Sequence, residues 1–591
     1  MILSRSVVRF STDGGRAACR ATDHTGAQSL ELWQLTPDGP RRTTTVAASG
    51  EAGQTQLVVL ADGRTLHCGY RPGEQTVTLV HPDGRSTPLD GDSGPLRFLP
   101  APNGSGWLAT VLSPLGDGTL VSAVLADGVR REVGRLPGRA GGAGVSGAHL
   151  AVTVLMDGVP TVVRLDPATG RCTPLLAAGD PLSGTPAHLL TTGGEHVLLG
   201  LSVARPAGAA PAGPEHRLAV VSATGPARLM PGGTRLPGVT RPIAMDPGGR
   251  VALLTVVRGV RSELHRIDLS TGVAGTISVP PGVLAPVGGC SPDGWWLPFS
   301  APGQPCRFAW LPPGAAALRT AGEPAGAAGW SGARVERLPG AAGPIEAVVY
   351  GPDWRGSPGV VLALHGGPDA HWDLAFDPFF QLMVRAGLTV VAPNQRGSTG
   401  YGPAHADAIN GAWGDPDVAD VLALAHGLRA GRAPHAARPV VYGTSYGAFL
   451  ALLAAAKEPQ AWSGCAAIAP FRSAAALYPE AGPAVRNLID RLGGLSDRSA
   501  DLDAVIDRVT VPVLLAHGQF DEAIPVSHSR ALAGRLSAAG RSVRYLEAPG
   551  RGHSVLRASL ADPVTASLLA FLADPVRQDP AALEPAGSWA P

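Results

Sequence analysis

The periodicity of the chain changes once, near residue 330, and that change divides what it can fold into. Before it, short runs rich in Val, Leu and Thr alternate with Asp-Gly and Pro-Gly turns. Residues 57–60 (LVVL) lead to Asp62-Gly63, residues 76–80 (TVTLV) to Asp83-Gly84, and residues 150–155 (LAVTVL) to Asp157-Gly158. Apolar runs broken by such turns are hairpin signals. Longer units recur too: residues 162–170 (VVRLDPATG) echo residues 264–272 (LHRIDLSTG) in wording and in place within their unit. Seven units begin near residues 6, 55, 96, 145, 190, 242 and 287. A spacing of roughly 40 to 50 residues is that of a four-stranded propeller blade. A seven-bladed β-propeller over residues 1–330 is therefore expected, with a pair of β-sandwiches as the competing all-β reading.

The second half has another period. Continuous apolar strands are expected at 359–364, 388–392, 440–442, 465–468 and 511–516, with helices at 377–386, 418–428 and after residue 445. Fully apolar strands alternating with helices imply a mostly parallel, doubly wound sheet covered on both faces. This places a second, α/β domain over 331–575, which the motifs and the resemblance given below make an α/β-hydrolase catalytic domain. The Gly/Ala-rich stretch 321–329 reads as a linker, and the Pro- and Ala-rich segment 576–591 as a flexible tail.

Residues 443–447 (GTSYG) sit between the strand ending at Tyr442 and the helical run from Ala448. A serine on a sharp strand-to-helix turn is held out at the top of a sheet, beside a helix N-terminus. Its hydroxyl is a weak nucleophile until a base, itself oriented by an acid, draws off the proton. In a sheet of this type the partners follow in the order Ser, Asp or Glu, His. Residues 511–516 lead into a loop presenting Asp521, with Glu522 as its rival. Residues 545–548 lead through Gly550 and Gly552 to His553. Ser445, Asp521 and His553 are the expected catalytic residues, and His517 is expected to hydrogen-bond within its loop. An oxyanion needs two donors. The Tyr446 N–H is one; the other is expected from Gly367 in His365-Gly366-Gly367-Pro368, with Gly366 the alternative. Phe471, Arg472 and Tyr478 either line a substrate pocket or pack.

Composition narrows the rest. A chain of 591 residues exceeds one ordinary core. A net charge of +1 gives no footprint for nucleic acid or an anionic membrane. Lys457 is the only lysine, which leaves almost nothing for Schiff-base or Walker-type chemistry. The six cysteines are scattered, with no C-x-x-C pair, so a disulfide framework is not expected. The N-terminal residues lack an apolar signal core and no run approaches 18 apolar residues. A cytoplasmic protein without metal or cofactor is expected, its oligomeric state open.

The series His365-Gly366-Gly367-Pro368, residues 394–402 (NQRGSTGYG), Trp413-Gly414-Asp415 with Asp420, residues 443–447, His517-Gly518 with Asp521, and Gly552-His553 resembles the prolyl oligopeptidase family of serine peptidases. The acylaminoacyl-peptidase branch is the nearer likeness. The resemblance implies cleavage of short peptides between propeller and hydrolase domains, with the propeller excluding folded proteins. It also implies that Arg396 is structural, ion-pairing beneath the site. Two features depart from the family. Ala523 stands where many acylaminoacyl members carry a substrate-binding arginine, and the first half offers no glutamate pair for a free N-terminus. A serine peptidase is thus the first expectation. An esterase, amidase or peptide-cyclising acyltransferase with the same residues is the second, and a propeller scaffold for partner binding the third.

Overall fold

The computed structural model describes residues 2–48, 55–71, 74–89, 96–203, 215–222, 227–230, 239–320, 329–557 and 559–574. Most of the expected linker at 321–329, and the whole tail at 576–591, lie outside them. The first half forms seven sheets, six of four strands and a last one of five. Each sheet uses strands consecutive in sequence, all antiparallel. The Asp-Gly turns explain why. At Asp62-Gly63 the carboxylate accepts the Arg64 amide at 3.0 Å while Gly63, at φ +90°, donates to Leu60 O at 3.0 Å. Such a turn reverses the chain within a few residues and pairs each strand with its successor. The sheets span residues 2–47, 56–89, 97–136, 139–174, 187–229, 239–277 and 283–320, each starting within six residues of its expected place. Together they are a seven-bladed β-propeller.

Among the described residues no strand from the first blade completes the last one. Side chains close the ring instead. The edge of Phe308, from blade 7, meets Phe10 at 5.9 Å and Trp33 at 5.4 Å, both from blade 1. Val8, Cys19, Leu35 and Trp296 are buried in the same cluster. Beside it Arg5 joins the buried Glu31 at 2.7 Å and donates to Cys306 O at 3.1 Å.

The second half is an α/β-hydrolase domain on one eight-stranded sheet. In spatial order its strands are Ala333–Gly340, Gly343–Tyr350, Leu388–Pro393, Gly359–Leu364, Val440–Thr444, Gly464–Ile468, Val513–Gly518 and Val543–Ala548. The first two pairings are antiparallel and the other five parallel. The strand expected at 511–516 is displaced to Val513–Gly518. Pro512 has no N–H for the ladder, so pairing begins after it. It then runs on because His517 and Gly518 match Glu547 and Ala548 of the neighbouring strand. His517 is therefore on a strand, not in the loop. The expected helix over 377–386 is Pro378–Arg385, with Asp377 accepting the Phe379 and Phe380 amides as its cap. The helix Tyr446–Lys457 is buried along its whole length except for Lys457. Its apolar surface on every side fits a helix sunk in a core.

Three hairpin tips of the propeller meet the hydrolase domain. From blade 6, Gly259 N–H donates to Gly400 O at 2.9 Å and Val260 N–H to Glu346 Oε2 at 3.2 Å, while Val260 O accepts Leu374 N–H at 2.9 Å. In blade 7, Ser300 Oγ accepts Phe376 N–H at 2.9 Å and Pro302 O accepts Gln381 Nε2 at 2.8 Å. The tip of blade 1 takes a bond at His24 O from Ser559 Oγ, at 3.1 Å.

Candidate active site

The turn at 443–447 explains its own spelling. Ser445 sits at φ +58°, ψ −121°, a backbone region costly for a side chain and held here by its surroundings. Its N–H is tied to Ile468 O at 2.7 Å on the adjacent strand. A β-carbon on Gly443 would stand 2.1 Å from Gly447 O, and one on Gly447 2.4 Å from Leu364 O. Both positions therefore exclude any side chain, and the strand can pass directly into the helix. Tyr446 is the first residue of that helix, where backbone amides lack intrahelical acceptors. Its side chain is fixed beneath the turn: the hydroxyl donates to Asp417 Oδ2 at 2.6 Å and the ring meets the edge of Trp413 at 5.3 Å.

The expected acid and base come together from two loops. His553 Nδ1 lies 2.6 Å from Asp521 Oδ2. The close approach of their loops depends on Gly518, where a β-carbon would stand 2.1 Å from Gly552 O. The Asp521 side chain is wholly buried, whereas that of His553 is 37% exposed. The other carboxylate oxygen, Oδ1, accepts the Ala523 and Ile524 amides, each at 2.9 Å. Burial alone would raise the proton affinity of Asp521. Hydrogen bonds from His517, His553 and the Ile524 amide outweigh it and hold the carboxyl well below the usual carboxylate range. An ionised acid thus faces Nδ1, which leaves Nε2 to accept a proton. Among the described residues the Ser445 hydroxyl makes no hydrogen bond, to His553 or to any other group.

Next to the serine lies the 365–368 loop. A β-carbon on Gly366 would come 3.4 Å from Ser445 Cβ, so this glycine's backbone lies alongside Ser445. Gly367, at φ +125°, makes the following bend. His365 stands 2.7 Å from Ser398 Oγ through Nε2 and 2.7 Å from Gly366 O through Nδ1. Burial pulls its proton affinity down to about 4, so it is neutral near pH 7. Arg396 forms a two-pronged ion pair with Asp420, at 2.9 and 3.0 Å, and donates to Pro416 O at 2.7 Å. That is the structural role the resemblance implied.

The three residues put forward for substrate contact are engaged within the domain. Phe471 is buried and stacked on Phe449 at 4.5 Å. Arg472 pairs with Asp503 at 3.0 Å, and the Tyr478 hydroxyl donates to Asp490 at 3.1 Å. One residue of the site was missed in the sequence, and a second, His517, was read only as hydrogen-bonding within its loop. Asp417, three positions before Asp420, is fully buried under Tyr446, and burial raises its carboxyl to about 6 against the opposing hydrogen bond from Tyr446. His517 reaches Asp521 itself, with Nε2 at 3.2 Å from Oδ2. The signal for Asp417 was an acidic residue in the first turn of the helix Pro416–Ala430.

Known proteins share the fold and part of the sequence. Residues 374–578 match the sequence profile described as the Prolyl oligopeptidase family. The dipeptidyl peptidase family member 6 of Caenorhabditis elegans is 29% identical over 211 residues, 33% of this chain and 28% of that protein. The acylamino-acid-releasing enzyme of Mus musculus is 29% identical over 218 residues, 34% of this chain and 29% of that one. The matched segment thus spans less than a third of either relative. Two solved structures share the whole fold. A puromycin-hydrolyzing peptidase of Mycobacterium tuberculosis superposes with a TM-score of 0.71 at 19% identity, covering 99% of this chain and 95% of that one. The acylaminoacyl peptidase of Pyrococcus horikoshii gives 0.70 at 13% identity, covering 94% and 92%. Through its hydrolase half, over residues 374–578, this chain is similar to the prolyl oligopeptidase family.

Proposed function

We propose that the chain is a serine peptidase acting on short peptides through an acyl-serine intermediate, with Ser445, Asp521 and His553 as its triad. The observation that carries this reading is the 2.6 Å bond between His553 Nδ1 and the buried Asp521 carboxylate, facing a sheet that also presents Ser445 on its strained turn. Ser445 Oγ attacks the substrate carbonyl and His553 Nε2 takes the hydroxyl proton. The imidazolium then protonates the leaving amine, and water resolves the acyl-serine by the reverse relay. Tyr446 N–H and Gly367 N–H stabilise the oxyanion, with Gly366 as the rival donor. Losing one such donor costs about 2.7–4 kcal/mol of transition-state stabilisation. Of the three residues put forward for substrate contact, the part-exposed Arg472 and Tyr478 border the substrate side while Phe471 packs beneath them, and the propeller limits substrate size. The scattered cysteines fit a reducing, cytoplasmic setting; no helix among the described residues is long and apolar enough to cross a membrane.

A second reading keeps the triad and changes the acyl group or its acceptor: an esterase, amidase or peptide-cyclising transferase. The alanine at 523, where many acylaminoacyl members carry a substrate-binding arginine, favours it. A panel of aminoacyl and N-acylated peptide anilides against simple esters separates the two. Cleavage of anilides that disappears in Ser445→Ala supports the peptidase. Rapid ester turnover beside untouched anilides would reject it. Anilide cleavage persisting in Ser445→Ala would move the nucleophile elsewhere.

A further inference from the structure

His517 lies at the end of the strand Val513–Gly518, and its side chain is completely buried. Three groups surround its ring. Nε2 stands 2.9 Å from Ile524 O and 3.2 Å from Asp521 Oδ2, while Nδ1 stands 2.7 Å from Ser529 Oγ. The Ile524 carbonyl and an ionised Asp521 can only accept, so Nε2 carries a proton whatever the charge of the ring. Oδ2 is the same oxygen that His553 engages. Two imidazoles therefore share Oδ2 while two backbone amides share Oδ1, and the carboxylate has a donor on every side.

We propose that His517 is a positioning residue for the Asp521–His553 pair: it holds the carboxylate in the plane that His553 needs and takes up part of its negative charge. Ser529, in the helix Ser527–Ala538, is the second half of the device, because it fixes the ring from the Nδ1 side. The consequence is a tuned base. A carboxylate with fewer donors presents more of its charge to His553, favours the imidazolium, and moves the loss of free base to higher pH. The other charged groups around His517 are anchored elsewhere. Glu547, its partner across the strands, is held by Arg530 and Tyr545. His528, on the helix behind, is driven towards its neutral form by burial and faces Glu480 at 3.8 Å and Arg472 through its backbone amide.

This inference rests on the serine-hydrolase reading, and one assay separates their failures. The full-length chain is labelled with a fluorophosphonate across pH, and thermal unfolding is followed in parallel. His517→Leu should slow labelling of Ser445 about tenfold, the scale of losing one hydrogen bond to a charged group, and raise the midpoint of the acid limb. His517→Gln, which returns an N–H close to the place of Nε2, should recover most of the rate and the original limb. Should His517→Leu fail to fold, Ser529→Ala serves: it leaves Nε2–H in place, releases the ring, and should shift the limb in the same direction by a smaller amount. A folded variant that labels at the wild-type rate, or more slowly with an unmoved acid limb, overturns the positioning role and leaves the enzyme reading intact. A wild-type chain that is not labelled at Ser445 overturns both.

Discussion

In the propeller, strands pair with their neighbours in the chain, save Val283–Leu284, which skips one short strand to pair with Gly294–Ala301; in the hydrolase sheet, Val361 pairs with Val440 and whole helices lie between partners. Short-range pairing makes each blade a local product of its turns, and the one non-local problem left is where the ring meets itself. There the chain relies on Phe10, Trp33 and Phe308. Long-range pairing does the opposite. It draws strand ends from remote places to one edge, so Asp521 and His553, which are 32 residues apart, share a hydrogen bond. Repetition yields a scaffold whose weak point is its seam, while crossover topology yields convergent side chains whose weak point is their mutual alignment.

Four changes would break or sharpen that contrast. The largest effect is expected from Asp521→Asn, which keeps the shape but favours the wrong His553 tautomer. By analogy with other triads, kcat should fall about 10⁴-fold, with the melting temperature reporting an intact fold. Near-wild-type turnover would detach the acid from the chemistry. Next is Phe308→Ala at the seam. Loss of a buried aromatic costs about 3–5 kcal/mol, read by denaturant unfolding of the propeller transition. Fluorophosphonate labelling of Ser445 in the folded protein should be unaltered. A loss below about 1 kcal/mol would mean that the ring closes by other means.

The third concerns Asp417. Burial lifts its folded proton affinity to about 6, above the value of about 3.9 in an unfolded chain. A raised folded value makes its contribution fully present below about pH 3.9 and lost as pH rises through about 6, because the folded state holds the proton more tightly. Over that window Asp417 should lower stability by about 1.4 kcal/mol per pH unit at most. Asp417→Asn should remove that slope, measured as unfolding free energy of variant and wild type at pH 4 and pH 6; parallel curves would contradict the assignment. The smallest effect is expected from Glu346→Gln, which keeps an acceptor for Val260 N–H and Tyr401 but removes the charge. About 0.5–1.5 kcal/mol should be lost, and a larger loss would make the domain contact more electrostatic than its geometry indicates.

The sequence was most legible where a local rule leaves few choices. Blade starts followed from Asp-Gly turns, and the nucleophile turn from two glycines that admit no β-carbon. The meeting of Asp521 and His553 was legible because strand ends and glycine-rich loops announce where a sheet presents side chains. What escaped were relations set by a third dimension. The strand 511–516 was placed two residues early because its register depends on residues 543–548. His517 read as a loop residue because no local pattern says that its ring reaches the acid four positions on. Asp417 went unnoticed because only the folded chain puts the Tyr446 hydroxyl on it. Phe471 has the composition of a pocket residue, and its stacking on Phe449 is a matter of packing that spacing does not encode.

The blade 6 tip has a practical corollary for anyone dividing the chain. Glu346 and Leu374 belong to the hydrolase half, yet their partner at both ends is one propeller residue, Val260, itself almost wholly enclosed. A protein cut near residue 330 would expose the Leu374 N–H, the Gly400 carbonyl and the apolar seat of Val260 together. The catalytic half expressed alone would thus carry a raw face beside the segment that follows its own 365–368 loop, and would be prone to self-association unless that face were redesigned.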